Sequence, residues 1–93
     1  MGLEKICSPS TGTITTQSVS VGVWTAMATG LTNIISWELV SRNGNAFRYA
    51  FEDNPTHYRT NDGSGVGKDT AITALYVYLE TTADTMELEY WKL

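Results

Sequence analysis

The sequence contains few of the residues from which catalytic and metal sites are built. Its single cysteine, Cys7, excludes an intramolecular disulfide and any zinc site made of several cysteines. Its single histidine, His57, leaves at most one imidazole for a Ser-His-Asp triad or a zinc centre. We therefore expect a protein that is not an enzyme and that needs no metal and no cofactor.

Charge is also scarce, and positive charge most of all. Charged residues make up 17 % of the chain, and the formal net charge is −4. A protein that binds a phosphate backbone needs clustered Lys and Arg, whereas the basic residues here are scattered. They are Lys5, Arg42, Arg48, Arg59, Lys68 and Lys92. Nucleic acid is therefore not an expected partner.

Long hydrophobic stretches are missing as well. No apolar run approaches the roughly 18 residues that a membrane-spanning helix needs. Residues 1–7 lack the apolar centre of a secretory signal peptide. These absences predict a protein that is made and folded in a cytoplasm and has no membrane partner.

The residues that are abundant favour β-structure. The chain has fourteen Thr, seven Ser and ten aromatic residues, and β-branched and aromatic side chains fit a pleated sheet. Residues 1–11 indicate an N-terminal arm, and residues 12–93 predict one domain of seven or eight short strands. We expect an all-β fold: an antiparallel two-sheet β-sandwich, jelly-roll or immunoglobulin-like, or a small barrel.

The strongest local pattern surrounds Asn43-Gly44. Residues 33–41 and 46–52, on either side of it, both alternate apolar and polar side chains. Asn-Gly is the preferred pair for a type I′ turn because both central residues need positive φ. The pattern predicts a hairpin from Asn33 to Glu52. Its core-facing aromatic residues would be Trp37, Phe47, Tyr49 and Phe51.

Three weaker local patterns complete the prediction. The apolar residues change phase between Ile14 and Val19, which predicts a bulge or bend near Gln17. The segment His57–Thr60 is typical of a short edge strand. Residues 61–69 are rich in Gly and predict a mobile loop.

Several patterns imitate functional motifs without matching them. Residues 63–70 resemble a phosphate loop, but the first glycine is misplaced and no helix is predicted to follow. The loop donors Asp53, Asn54, Asn61, Asp62 and Asp69 fit no calcium-binding spacing. The carboxylate pair Glu87 and Glu89 is more typical of a solvated strand face than of a glycosidase. We therefore predict no catalytic, cofactor-binding or metal-binding residue.

The aromatic residues outside the predicted hairpin are the candidate interface. In residues 75–79, Tyr76 and Tyr78 alternate with aliphatic residues, so one of the two sets faces outward or into a second interface. Exposed aromatic side chains would form either a sugar platform or a protein-binding hot spot. The candidate interface residues are Trp24, Tyr58, Tyr76, Tyr78 and Trp91.

Four features follow one another along most of the chain. They are a Thr-, Ser- and Val-rich opening strand (Thr13–Val23), an apolar strand leading into Asn43-Gly44-Asn45, a Gly-rich loop, and Leu75-Tyr76-Val77-Tyr78 followed by a turn and a closing strand. From Val19 to Leu93 this arrangement resembles a small β-sandwich domain of tailed-bacteriophage virion accessory proteins. The resemblance implies a capsid decoration or cement protein, or a head-fibre or tail-associated domain.

The expected function follows from this resemblance together with the absences above. We expect a non-enzymatic virion structural protein that binds the phage capsid surface as a decoration or cement protein and stabilises the shell. Its partner would be the major capsid protein or another virion protein, and it would reside on the virion after synthesis in the host cytoplasm. Strands that are apolar on both faces also suggest a homodimer or homotrimer. The alternative is a carbohydrate- or host-surface-binding module of a head fibre or tail.

Overall fold

A computed structural model describes residues 12–93, and the expected arm at residues 1–11, with Cys7, lies outside the described residues. The described chain forms eight strands. They are β1 (Thr13–Val19), β2 (Thr25–Ala28), β3 (Ile34–Ser41), β4 (Phe47–Ala50), β5 (Arg59–Asn61), β6 (Val66–Lys68), β7 (Leu75–Tyr78) and β8 (Asp84–Lys92). Residues 12–93 contain no helix that could cross a membrane.

The strands form two antiparallel four-stranded sheets, in the orders β1-β8-β3-β6 and β2-β7-β4-β5. β1 pairs with β8, β2 with β7, β3 with β6 and β4 with β5. The first four strands thus pair with the last four in reverse order, so the chain forms a long double-stranded ribbon that turns back at the β4–β5 connection. This ribbon is wrapped so that its strands lie in two sheets. This winding is that of a jelly roll. The expected all-β sandwich is confirmed, and of its variants the strand order is the jelly-roll one.

The core lies between the two sheets. Alternate residues of each strand point into it, as the two-residue period of a strand requires. Trp37, Leu39, Phe47, Leu75, Val77, Met86 and Leu88 are all 2 % exposed or less. At about 25 cal/mol per Å² of apolar surface removed from water, this shared core is the main source of stability.

The predicted hairpin from Asn33 to Glu52 is wrong, because β3 and β4 lie in different sheets. Gly44 has a φ of 76°, but Asn43 is not at positive φ, so a type I′ turn does not form. Instead the Asp84 carboxylate accepts hydrogen bonds from the Asn43 N–H at 3.2 Å and from the side-chain amides of Asn43 and Asn45 at 3.0 and 2.8 Å. These bonds hold the turn on the start of β8, and the chain then crosses to the other sheet.

The expected bulge near Gln17 is also wrong. β1 pairs with β8 in unbroken register from Thr13 to Val19. No phase change is needed because the two residues lie on opposite faces of the strand: Val19 is buried, whereas Ile14 points outward and is 57 % exposed. The register shifts lie elsewhere, between Ala26 and Ala28 and between Ile34 and Ser36.

Two other local expectations need correction. Phe51 is 47 % exposed rather than buried, because β4 ends at Ala50 and the chain bends away from the sheet. Residues 61–69 are more than a featureless loop, since they contain β6. The Asn61 side chain also holds this loop by accepting the N–H groups of Gly63 and Gly65 at 2.8 and 3.1 Å. The short edge strand expected near His57–Thr60 is found slightly later, as β5.

Candidate binding surface

The outer face of the β2-β7-β4-β5 sheet carries most of the candidate aromatic residues. In β7 and just beyond it, Leu75, Val77 and Leu79 are fully buried, so Tyr76 and Tyr78 point away from the core. Tyr76 stands between Ala26 of β2 and Ala50 of β4 in the strand register. The alternation that was ambiguous in the sequence is thus settled: the aliphatic set faces inward and the tyrosines outward.

Strand register also brings residues from distant parts of the chain together on this face. Thr25 of β2 stands opposite Val77, so Trp24, one residue earlier, lies beside Tyr78. The Trp24 ring is 5.3 Å from the Tyr78 ring and 5.8 Å from the Tyr58 ring, with interplanar angles of 42° and 53°. Aromatic pairs at such separations attract by about 0.5–1.5 kcal/mol beyond their buried area.

Arg48 completes this cluster. It stands opposite Tyr78 in the β4–β7 pair, and its guanidinium carbon lies 4.9 Å from the Tyr78 ring centre and 4.8 Å from that of Tyr58. Its Nη2 also donates to Glu80 Oε2 at 2.7 Å. A cation over an aromatic face is attracted by about 0.5–1 kcal/mol at an exposed site. We call Trp24, Arg48, Tyr58 and Tyr78 the aromatic surface.

The aromatic surface is partly open to solvent and held in place. Tyr58 is 45 % exposed, and the Arg48 side chain is 26 % exposed. Because each side chain already contacts two others, little rotamer freedom remains to be lost when a partner binds. Trp, Tyr and Arg are also the residues most enriched in the hot spots of protein–protein interfaces.

The structure therefore brings together three of the five predicted interface residues, and Tyr76 shares their face. Trp91 does not, because it lies on β8 in the other sheet and is only 9 % exposed. The sequence patterns discussed above did not single out Arg48. The alternation in residues 46–52 already placed it on the face opposite Phe47 and Tyr49, so its outward direction could have been read from the sequence.

The residues that imitate functional motifs have structural partners instead. Lys68 of the apparent phosphate loop lies in β6. Asp69 Oδ1 accepts the hydroxyl of buried Ser36 at 2.9 Å, and Thr70 Oγ1 accepts the indole N–H of Trp37 at 3.3 Å. These two residues satisfy polar groups of β3 that would otherwise be buried without partners, a situation that costs about 1–3 kcal/mol per group.

The two carboxylates of β8 likewise serve separate contacts. Glu87 pairs with Arg42, and Glu89 Oε2 accepts the Gly12 N–H at 2.9 Å. His57 is exposed in the segment between β4 and β5. Within residues 12–93, no group of three or more His, Cys, Asp or Glu side chains is arranged to hold a metal ion.

Comparison with known proteins gives no relative from which a role could be transferred. No protein-family model matches this sequence, and no curated protein and no solved structure is significantly similar to it.

Proposed function

We propose that this chain is a non-enzymatic virion protein that binds the outside of a phage capsid as a decoration or cement protein, with the aromatic surface as its contact. The observation that carries the proposal is the preorganised cluster of Trp24, Tyr58, Tyr78 and Arg48 on one sheet face. The virion setting comes from the sequence resemblance. It is supported by analogy, since jelly rolls are frequent in viral capsids.

A protein partner fits the aromatic surface better than a sugar does. A sugar ring stacks on an open, flat aromatic face, whereas these rings are tilted by 42° to 53° against one another. The Arg48 guanidinium also lies over the Tyr58 and Tyr78 rings. A tilted, charge-bearing aromatic cluster suits a protein partner whose side chains pack over the cluster. Carbohydrate binding, the alternative, is therefore an outcome of the test below.

The test is to identify a major capsid gene in the genome that encodes this chain, and to measure co-sedimentation of the purified protein with shells assembled from that capsid protein. We expect binding, and we expect Tyr58→Ala and Trp24→Ala each to weaken it at least tenfold, the effect of losing a hot-spot residue of roughly 1.4 kcal/mol or more. Val40→Ala is the matched control, because Val40 is a 37 % exposed apolar residue on the outer face of the opposite sheet.

Two results would contradict the proposal. The first is the absence of any binding to shells by the wild-type protein. The second is binding by Tyr58→Ala as tight as that by Val40→Ala. Binding of the wild-type protein to a glycan array that is lost in Tyr58→Ala, without binding to shells, would establish the carbohydrate alternative instead.

A further inference from the structure

The four edge strands of the sandwich differ in how well they are protected against pairing with another chain. Exposed edges are normally short, bulged or charged, because a long regular edge is a template for strand addition. β5 and β6 have three residues each and carry Arg59 and Lys68. β2 has four residues and contains a register shift between Ala26 and Ala28. Three of the four edges thus show a protective device.

β1 shows none of these devices. It has seven residues, Thr-Ile-Thr-Thr-Gln-Ser-Val, without a charge, a proline or a glycine. Its register with β8 is unbroken, and all of its residues except Thr15 and Val19 are exposed. In the sheet order it is terminal, so among the strands that the structure describes only β8 pairs with it. Within residues 12–93 no strand covers its other side, so the backbone N–H and C=O groups there can pair with a further strand.

We propose that β1 is a self-association edge, and that two copies of this chain pair antiparallel through it to form one continuous eight-stranded sheet. A seven-residue strand has its centre at Thr16, so a two-fold axis there places Thr16 opposite Thr16 of the second copy. Ile14 then stands opposite Ser18. Direct Thr–Thr pairs are among the cross-strand pairs that stabilise antiparallel sheets.

Charge does not oppose a second copy at this edge, in spite of the net charge of −4. The nearest carboxylates on the same outer face, Glu87 and Glu89, belong to β8, one strand inward. Across β1 and its copy, the two β8 strands would be three strand spacings apart, about 14 Å. That exceeds the Debye length of about 8 Å at physiological ionic strength, so their repulsion is largely screened. Because β1 is uncharged, no like charges meet within the pair itself.

The decisive variant is Thr16→Lys. Thr16 is exposed and faces Glu87, the ion-pair partner of Arg42, across the β1–β8 pair, so a lysine there has a carboxylate beside it and open solvent within the monomer. In the paired dimer the same lysine faces its own copy across the two-fold axis. The substitution therefore opposes the dimer while leaving the monomer fold intact, and an unchanged thermal unfolding midpoint of dilute protein confirms that the monomer is intact.

The measurement is sedimentation equilibrium of the full chain over a range of micromolar concentrations. We expect the wild type to approach twice the 10.2 kDa of one chain and Thr16→Lys to remain at one chain, with a dissociation constant raised at least tenfold. Val40→Lys is the matched control: it adds the same charge to the same outer face, on β3 rather than on the edge, and should dimerise like the wild type.

Three outcomes would overturn the proposal. They are a wild type that stays monomeric throughout, a Thr16→Lys variant that dimerises as well as the wild type, and a dimer that is lost in Tyr58→Ala but kept in Thr16→Lys. The last would place the self-contact on the aromatic surface. None of these measurements involves a capsid, so they are independent of the outcome of the shell-binding test.

Discussion

At the scale of single residues, Asp84 holds the turn after β3 in place. It is 7 % exposed and accepts hydrogen bonds from four donors: the N–H groups of Asn43 and Thr85 and the side-chain amides of Asn43 and Asn45. Burial alone would raise the pKa of Asp84. The bonds from Asn45, Thr85 and Asn43 outweigh burial and hold the pKa below its ordinary value.

The variant Asp84→Asn tests this role. An asparagine directs an NH₂ group at donors that need an acceptor, and hydrogen bonds to a charged group contribute about 1.5–3 kcal/mol. We expect the free energy of unfolding at pH 7 to fall by roughly 2–3 kcal/mol, as measured by urea titration. Asp53→Asn is the control, since Asp53 is exposed and accepts one N–H, that of Asn54. An equal effect of both variants would show that the Asp84 bonds are not important.

The same carboxylate predicts a pH dependence. A pKa that is lower in the folded than in the unfolded state stabilises the fold fully above the unfolded value of about 3.9, and this contribution is lost as the pH falls through the folded pKa. The difference in the free energy of unfolding between the wild type and Asp84→Asn should therefore become smaller below about pH 4. A difference that stays constant from pH 7 down to pH 2 would contradict the assignment.

At the scale of elements, the sequence predicted the strands better than it predicted their partners. Alternation placed Trp37, Phe47 and Tyr49 in the core, and all three are buried. The same alternation is expected whether two strands pair in one sheet or face each other across a sandwich, so it could not distinguish a hairpin from a crossover. The deciding residue, Asp84, lies some forty positions away from Asn43 in the chain.

For the candidate surface, too, the sequence indicates the residue types but not which strands bring them together. Trp24, Tyr58 and Tyr78 could each be recognised as aromatic residues outside the predicted hairpin. Their proximity depends on the registers among β2, β7, β4 and β5, which no local pattern contains. Trp91, which the sequence placed in the same set, was separated from it by the sheet order.

The loop between β5 and β6 illustrates how composition can mislead. Its glycines predict a mobile loop, yet Gly63 has a φ of 104° and packs against the backbone of the Gly44 turn. A Cβ at Gly63 would overlap the carbonyl group of Gly44. Glycine is needed here for both close approach and positive φ, so the loop supports the crossover between the sheets.

Gly63→Ala should therefore destabilise the fold strongly. Positive φ costs an alanine at least about 1 kcal/mol, and overlap with backbone atoms adds about 1–3 kcal/mol. Gly22→Ala is the matched control, because Gly22 has a φ of 82° but no atom within 4 Å of an added Cβ. We expect the thermal midpoint to fall about 4–8 °C for Gly22→Ala and at least twice that for Gly63→Ala. An equal fall in the thermal midpoint for both variants would mean that the loop moves away from the Gly44 turn at little cost.

At the scale of the whole molecule, the jelly-roll winding makes the fold depend on its last strand. β8 lies between β1 and β3, and it contributes Met86 and Leu88 to the core. In a succession of hairpins, removal of the last strand would leave the preceding pairs intact. Here the removal would leave β1 without any strand partner among those described, and β3 would keep only β6.

A fragment that ends at Ala83 should therefore lack a cooperative fold, and a synthetic peptide of residues 84–93 should restore it. Because most of the pairing energy of the β1-β8-β3-β6 sheet lies at β8, we expect no thermal transition in the near-ultraviolet circular dichroism of the fragment alone. Equimolar peptide should recover the transition, whereas a peptide with Met86→Asp and Leu88→Asp should not. Removal of Leu93 alone, a residue 93 % exposed, is the length control and should leave the transition intact. Cooperative unfolding of the fragment without peptide would show that the other seven strands fold without β8, and the central role assigned to this strand would be wrong.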